Sequence, residues 1–387
     1  MVEFNPYDWA VHEDPYPVYR RLRDEAPCYH HPELDFYALS RHADVLAAFL
    51  DPERFSSREG VALESVGDAS EVMSFLAMDP PRQTRLRALV SRGFTPRRTR
   101  ELEEPIRKLA GTYLDRMADA PAPDAIADFA ARLPMDIISE MLGVPPADRD
   151  MLRGWADAVV HRAEGDAGVP QAAAQASIQL IAYFAEHVKA HHRRAGDDLT
   201  DALLAAEIDG DRLDERDVIA FLFLMIIAGN ETTTKLLGNA LVHLARHPEQ
   251  RARVMADPGR IPGWVEETLR YDASSQLIAR VATRDVTLHG TTIPAGRKVA
   301  LLIGAANRDE RAFDRPDDYD VSRDCKESLA FGRGVHFCLG ASLARLEACV
   351  SLEEITARFP DYVVDEAGLV RIHSGNVRGY ARIPLQL

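Results

Sequence analysis

The run Phe331-Gly332-Arg333-Gly334-Val335-His336-Phe337-Cys338-Leu339-Gly340 sets one thiol among glycines, just before a helical stretch, Ala341–Phe359. Backbone N–H groups left free at a helix start, with the positive end of its dipole, favour thiolate over thiol. A free cysteine is most often a buried structural residue, which is the simpler reading for Cys349. Core packing does not call for three glycines and a histidine around Cys338. A dinucleotide loop, G-x-G-x-x-G, would need glycine where Phe337 stands, and no strand–loop–helix unit with a later acid accompanies it. A thiol hydrolase would need a general base placed by a third group, whereas His336 lies two positions away and no orienting residue is evident. A thiolate held by backbone N–H groups is, by contrast, a good axial ligand for haem iron.

A second constellation is Ala228-Gly229-Asn230-Glu231-Thr232-Thr233-Thr234. It interrupts an otherwise apolar helix. Glycine in a helix interior costs about 1 kcal/mol relative to alanine, and a buried carboxylate costs more unless partnered. Helical spacing puts Ala228, Gly229 and Thr232 on one face, a small-residue dent with a hydroxyl at its rim. A kink with threonines bonding back to the helix is the simpler account. The acid and hydroxyl beside the dent favour a functional one.

These residues must be held by a helical body. Spacing of the 3.6 type marks Pro17–Arg23, His42–Leu50, Thr84–Ser91, Arg98–Asp119, Phe129–Leu142, Asp148–Val160, Ala172–His192 and Leu199–Ala205 as helices. The longest, Glu215 to His247, makes a rod of roughly 50 Å. Its centre, Phe221–Ile227, is apolar all round, so it is expected to run through the middle of the protein. Strand-like alternation is confined to Cys28–Ser40, Ile278–Ile303 with a turn at His289-Gly290, and Tyr362–Leu387. The expected class is mainly α with small β-sheets, in one domain over residues 1–387, since no linker divides the chain.

Composition narrows the function. With 46 Lys and Arg against 61 Asp and Glu, the formal charge of −15 repels phosphate backbones, so no nucleic-acid partner is expected. The four cysteines form no C-x-x-C pair, which argues against a disulfide scaffold, a zinc ribbon and a covalent haem site. The opening MVEFNPYDWAVHEDPYP has neither a basic nor an apolar targeting segment, and the longest apolar run falls short of the roughly 20 residues that span a bilayer. The expectation is a soluble, cytoplasmic monomer without a membrane anchor.

Segment Phe331–Ala344 resembles the haem-binding signature F-x-x-G-x-H-x-C-x-G-x-x-L-A of the cytochrome P450 family, matching at Phe331, Gly334, His336, Cys338, Gly340, Leu343 and Ala344. Ala228, Gly229, Glu231 and Thr232 resemble its A-G-x-[DE]-T motif, and Glu267-Thr268-Leu269-Arg270 its E-x-x-R. Ala306–Asp309 and Phe313…Pro316…Arg323 look like the family's meander, and Met78-Asp79-Pro80-Pro81 like the start of the helix beside the haem. The motifs occur in family order along essentially the whole chain. Without such context, E-x-x-R would read as a surface pair worth a few tenths of a kcal/mol.

The resemblance implies the cytochrome P450 fold, a single haem domain with a long central helix. It implies haem b held by Cys338, with O2 as co-substrate and NAD(P)H used indirectly through ferredoxin and ferredoxin reductase. Haem propionates would meet Gln83, Arg87, Arg280 and His336. Many bacterial relatives carry His where this chain has Gln83, so that position donates a hydrogen bond but no charge. Glu267 and Arg270 would form a buried clamp with Arg323, the other common arginine position being Asp318 here. Thr232 would hydrogen-bond at the oxygen site, with Glu231 relaying protons from solvent.

The implied activity is a monooxygenase hydroxylating or epoxidising a hydrophobic small molecule. A peroxide-driven enzyme would not need the Glu231–Thr232 pair, and a haem-based sensor or carrier would need neither that pair nor an electron-partner face. Between Pro81 and Arg100 stand seven arginines (82, 85, 87, 92, 97, 98 and 100) and no acid. With Arg333 and Arg345 they would form a docking face for a small acidic ferredoxin, or simply a solvated basic helix. By family position the substrate pocket includes Leu224, Ala228, Ser275–Ile278 (Gln276, Leu277 and Ile278 among them) and the Gly60–Phe75 loop. Glu64, Asp68 and Glu71 in that loop could receive a cationic group, but read more simply as solvated charges.

Overall fold

The periodicity from Glu215 folds as one unbroken helix, and the rest of the chain is arranged around it. In the computed structural model, residues 2–64, 69–161, 168–193, 196–208 and 210–387 are described. The helices that position the site are α1 (Arg82–Ser91), α2 (Glu103–Ala118), α3 (Leu133–Met141), α4 (Arg149–Val160), α5 (Gln171–His191), α6 (Glu215–Arg246), α7 (Ile261–Tyr271) and α8 (Ala341–Arg358). A capping box starts α6: the Asp214 carboxylate accepts from Asp217 N at 2.8 Å, and Asp217 accepts from Asp214 N. Pro248 follows its end and opens the next helix.

Helix α6 passes through two separate cores. Its first half, Val218 to Ile226, packs with residues of α1, α3, α4 and α5. Its second half, Leu236 to Leu244, packs with α2, α7 and α8. Burying a large aliphatic or aromatic side chain is worth about 1.5–3 kcal/mol, so both halves are firmly anchored. The polar stretch Ala228–Thr234 falls at the seam between them. Among the described residues α6 is the one helix long and apolar enough to cross a membrane, and it is this central, packed element.

Two expected helices differ from their periodicity, one broken in two and one shortened at its start. Arg98–Asp119 divides into Pro96–Glu101 and α2, because Pro105 has no N–H to offer the carbonyl of Glu101. Phe129–Leu142 reduces to α3, with Pro134 in its first turn and a wide π-type turn, Ala125–Ala130, before it.

The principal sheet is built from β1 (Cys28–His31), β2 (Phe36–Leu39), β3 (Phe55–Ser56), β4 (Leu277–Ala282) and β5 (Lys298–Leu302), in the order β1-β2-β5-β4-β3. Pairing is antiparallel except between β2 and β5, where Tyr37 faces Val299. A hairpin between β4 and β5 turns at His289 and Gly290, both with positive φ (52° and 80°). The alternation over Tyr362–Leu387 yields only short strands in two-stranded pairs.

The two ends of the described chain meet at Asp272, just after α7. Its buried carboxylate accepts from Tyr16 Oη (2.6 Å) and Arg378 Nε (2.7 Å), with His243 Nε2 at 2.9 Å and Arg371 at 3.8 Å. Burial opposes ionisation, but the charge of Arg378 and the contact with His243 hold the carboxyl well below its usual range.

Candidate active site

The cysteine loop is shaped by two glycines in left-handed conformation, Gly332 (φ 66°) and Gly334 (φ 69°). A Cβ on Gly334 would also come within 2.9 Å of the Phe49 carbonyl, so the position needs glycine twice over. Cys338 N donates to Phe331 O at 2.9 Å and closes the loop. The Cys338 sulfur accepts from the backbone N–H groups of Gly340 and Ala341 at the start of α8. That is the arrangement expected from sequence, with one correction. Burial outweighs those amides and the charges of Arg87 and Arg345, so the thiol is pushed up rather than down.

Helix α1 braces the loop from one side. Gln83 and Arg87, four residues apart and so on one face, each donate to a loop carbonyl: Gln83 Nε2 to Val335 O at 2.8 Å and Arg87 Nη2 to Phe337 O at 2.5 Å. The Gln83 contact therefore positions the loop, a role the residue type alone did not reveal. His336 lies between them, Nε2 3.1 Å from Ser57 Oγ. Burial, then the charges of Arg280 and Arg87, push it down to about 3, so it is neutral at working pH. Arg280 on β4 is buried and pushed down to about 10, with Asp79 as the offsetting charge. Its guanidinium donates to its own neighbour's carbonyl, Ala279 O.

Arg87, His336 and Arg280 thus gather cationic and donor groups in a buried place with little negative charge of their own. Such a set suits a buried dianion. With a thiol alongside, the residues fit a haem carrying two propionates and a cysteine ligand.

Leu339, next to Cys338, packs in the same cluster as Leu224 of α6, which brings the cysteine loop and the long helix together. On α6, Ala228 is exposed and Thr232 half-exposed although Leu224, Asn230, Glu231 and Thr233 around them are buried. The opening is therefore lined by Ala228 and Thr232. Gly229 does not belong to it: a Cβ there would meet Ile138 Cδ1 of α3 at 2.9 Å, so that glycine serves helix packing. The Thr232 hydroxyl donates to Ala228 O at 2.7 Å, leaving its oxygen free to accept. Glu231 faces inward, 3.3 Å from the buried Lys235.

Of the further pocket candidates, Ile278 remains half-buried. Gln276 instead donates to Ala273 O at 2.8 Å, and Leu277 packs with Phe4 and Tyr19, so both point away into the N-terminal cluster. Glu64 is half-buried, Glu71 is exposed, and Asp68 lies outside the described residues.

The clamp is present. Glu267 and Arg270 are fully buried and joined by two hydrogen bonds of 2.7 and 2.8 Å. Arg270 also donates to the carbonyls of Asn307 and Pro316, and Arg323 Nε lies 3.3 Å from Glu267. Asp318 contributes its carbonyl to Arg270 and Arg323. Sequence reasoning missed Cys325, whose thiol donates to Glu267 at 3.5 Å. It also missed Lys235, although a lysine four residues after Glu231 on a helix is a legible pairing signal.

Comparison with known proteins agrees with this geometry. The sequence model of the family described as cytochrome P450 matches residues 169–366. The chain is 55% identical to a putative cytochrome P450 123 of Mycobacterium bovis, over 99% of this chain and 96% of that protein. Among solved structures, cytochrome P450 CYP109Q5 from Chondromyces apiculatus superposes with a TM-score of 0.90 at 37% identity, over 100% and 98% of the two chains. Mycobacterium marinum CYP268A2, solved in complex with pseudoionone, gives 0.91 at 34%, also over 100% and 98%.

Proposed function

The chain belongs to the cytochrome P450 family and is a haem-thiolate monooxygenase, and we propose that it hydroxylates or epoxidises a hydrophobic small molecule with electrons from a ferredoxin and its reductase. The observation that carries this reading is the Cys338 sulfur facing two helix-start amides beside the acid-poor cluster Arg87, His336 and Arg280. Bound haem supplies oxygen activation, which thiolate ligation favours. Cys338 would be its ligand, and Arg87, Arg280 and neutral His336 would hold its propionates. Gln83 keeps the ligand loop in register.

Thr232 presents its hydroxyl oxygen to the opening on α6 while its proton is held by Ala228 O, so it accepts a hydrogen bond there. It passes on a proton only by turning its O–H away from Ala228 O. Glu231 is the buried acid that replenishes it. The lining at Leu224, Ala228 and Ile278 is small or apolar and suits a largely hydrocarbon substrate, as does the pseudoionone bound by the relative from Mycobacterium marinum. NAD(P)H enters only through the redox partners. The exposed arginines 82, 98 and 100 support ferredoxin docking. Arg345 contributes less, since it pairs with Glu266 and stacks on Phe331. A single haem domain over residues 1–387 and a monomeric, cytoplasmic state are part of the same proposal.

The test is a spectral titration of the purified ferric protein with terpenoids, steroids, fatty acids and polyketides. One class should shift the iron from low to high spin, and Cys338→Ser should abolish the thiolate spectrum. Thr232→Ala should keep the haem but divert reducing equivalents to peroxide. Wild-type coupling in that variant removes the role given to Thr232, and a thiolate spectrum surviving in Cys338→Ser removes the ligand assignment.

A further inference from the structure

Glu231 and Lys235 form an acid–base pair four residues apart on α6, both buried, which would be complete in itself. A second carboxyl nevertheless reaches it. Asp157, on the outer helix α4, hydrogen-bonds Glu231. Two carboxyl groups share a hydrogen bond only when one of them carries a proton. Asp157 is exposed as a residue although its carboxyl turns inward, so the pair has one member in the protein and one at the solvent edge. The charged groups facing it are Lys235 from α6 and Arg153 from α4, and Arg153 is also engaged with Asp150. Gly379 makes room for the lysine: a Cβ there would approach Lys235 Cβ to 2.6 Å.

We propose that Asp157 shares one proton with Glu231 and is the group through which Glu231 exchanges protons with solvent. Asp157 is then a positioning residue, acting through Glu231 and never touching oxygen or substrate. The inference rests on Glu231 and Thr232 being the proton-handling pair. In each exchange Glu231 gives up a proton toward Thr232, the Asp157 carboxyl passes its own proton to Glu231, and Asp157 takes one proton back from solvent, so the pair returns to its starting charge. Burial, then the hydrogen bond and charge of Glu231, push Asp157 up to about 8 against the pull of Lys235 and Arg153. The shared proton is therefore present at neutral pH.

Infrared spectra of the ferric holoprotein, recorded as pH is raised, test this through the carboxylic-acid C=O bands. Wild type should show a band that disappears near pH 8; Asp157→Asn and Glu231→Gln should each lack it, and Asp157→Glu should restore it. Glu347 supplies a separate protonated carboxyl, also pushed up to about 8, which Glu347→Gln removes and Asp157→Asn leaves. With a ferredoxin and its reductase as electron source, Asp157→Asn should flatten the pH dependence of water against peroxide formation over the same range. Wild-type bands in Asp157→Asn, or an unchanged pH profile, overturn the proposal. Failure of the parent reading shows elsewhere, as full coupling in Thr232→Ala whatever the bands do.

Discussion

Glu347 shows how much a single side chain can reveal about its surroundings. It is buried on α8, the helix that starts at the cysteine loop, and burial pushes it up to about 8 against the opposing hydrogen bond with Thr233. A carboxyl raised on folding contributes stability that is complete below its unfolded value and is lost as pH rises through its folded one. Wild type should therefore lose stability between about pH 4.5 and 8, by up to about 1.4 kcal/mol per pH unit from this one group. Glu347→Gln should flatten that slope and match or exceed wild type in alkaline buffer, as read from denaturant midpoints. A wild-type slope in the variant would place the titration elsewhere.

Elements decide which glycines are replaceable. Gly263 lies on α7, where an added Cβ would come within 2.3 Å of the Val321 carbonyl, part of the backbone that leads to the clamp. Backbone cannot retreat as a side chain can, so Gly263→Ala should lose about 1–3 kcal/mol. At Gly229 the added Cβ meets only the tip of Ile138, and the gain in helix propensity of about 1 kcal/mol roughly offsets the crowding. Thermal melting of both variants distinguishes the cases, and equal losses would contradict the packing described for α3 and α6. The same contrast explains what the sequence made legible. Cys338 at a helix start and the long helix follow from local spacing, whereas the burial of Glu267 and Arg270 follows only from the family resemblance, since E-x-x-R alone reads as a surface pair. Asp157 at Glu231, Cys325 at Glu267 and the inward turn of Gln276 are set by how distant elements pack, and period and spacing carry no signal for that. Gly229 misled because helical spacing says which residues share a face but not which neighbour that face meets.

Across the whole molecule, charge is unevenly spread. The chain carries −15 overall, yet arginines 82, 97, 98 and 100 are exposed on one basic stretch, with Arg97 paired to Glu101 at 2.9 Å. An acidic ferredoxin would be steered there against the general repulsion. Reversing Arg97 and Arg98 to glutamate should slow reduction by ferredoxin roughly tenfold at low salt, with the difference fading as salt screens it. Equal stopped-flow rates at low ionic strength would leave the stretch as a solvated helix. The Asp272 junction has a different kind of consequence, one of timing. Its carboxylate is settled in the interior only when Arg371 and Arg378 arrive, yet both are made about a hundred residues after it. Until they arrive a growing chain offers this carboxylate Tyr16 and His243 as partners but neither arginine, so its burial should wait for the later segment. The fold should therefore close only after residue 378 has been made, and a chain stalled between residues 272 and 371 should be cleared by proteases rather than persist as a shortened enzyme.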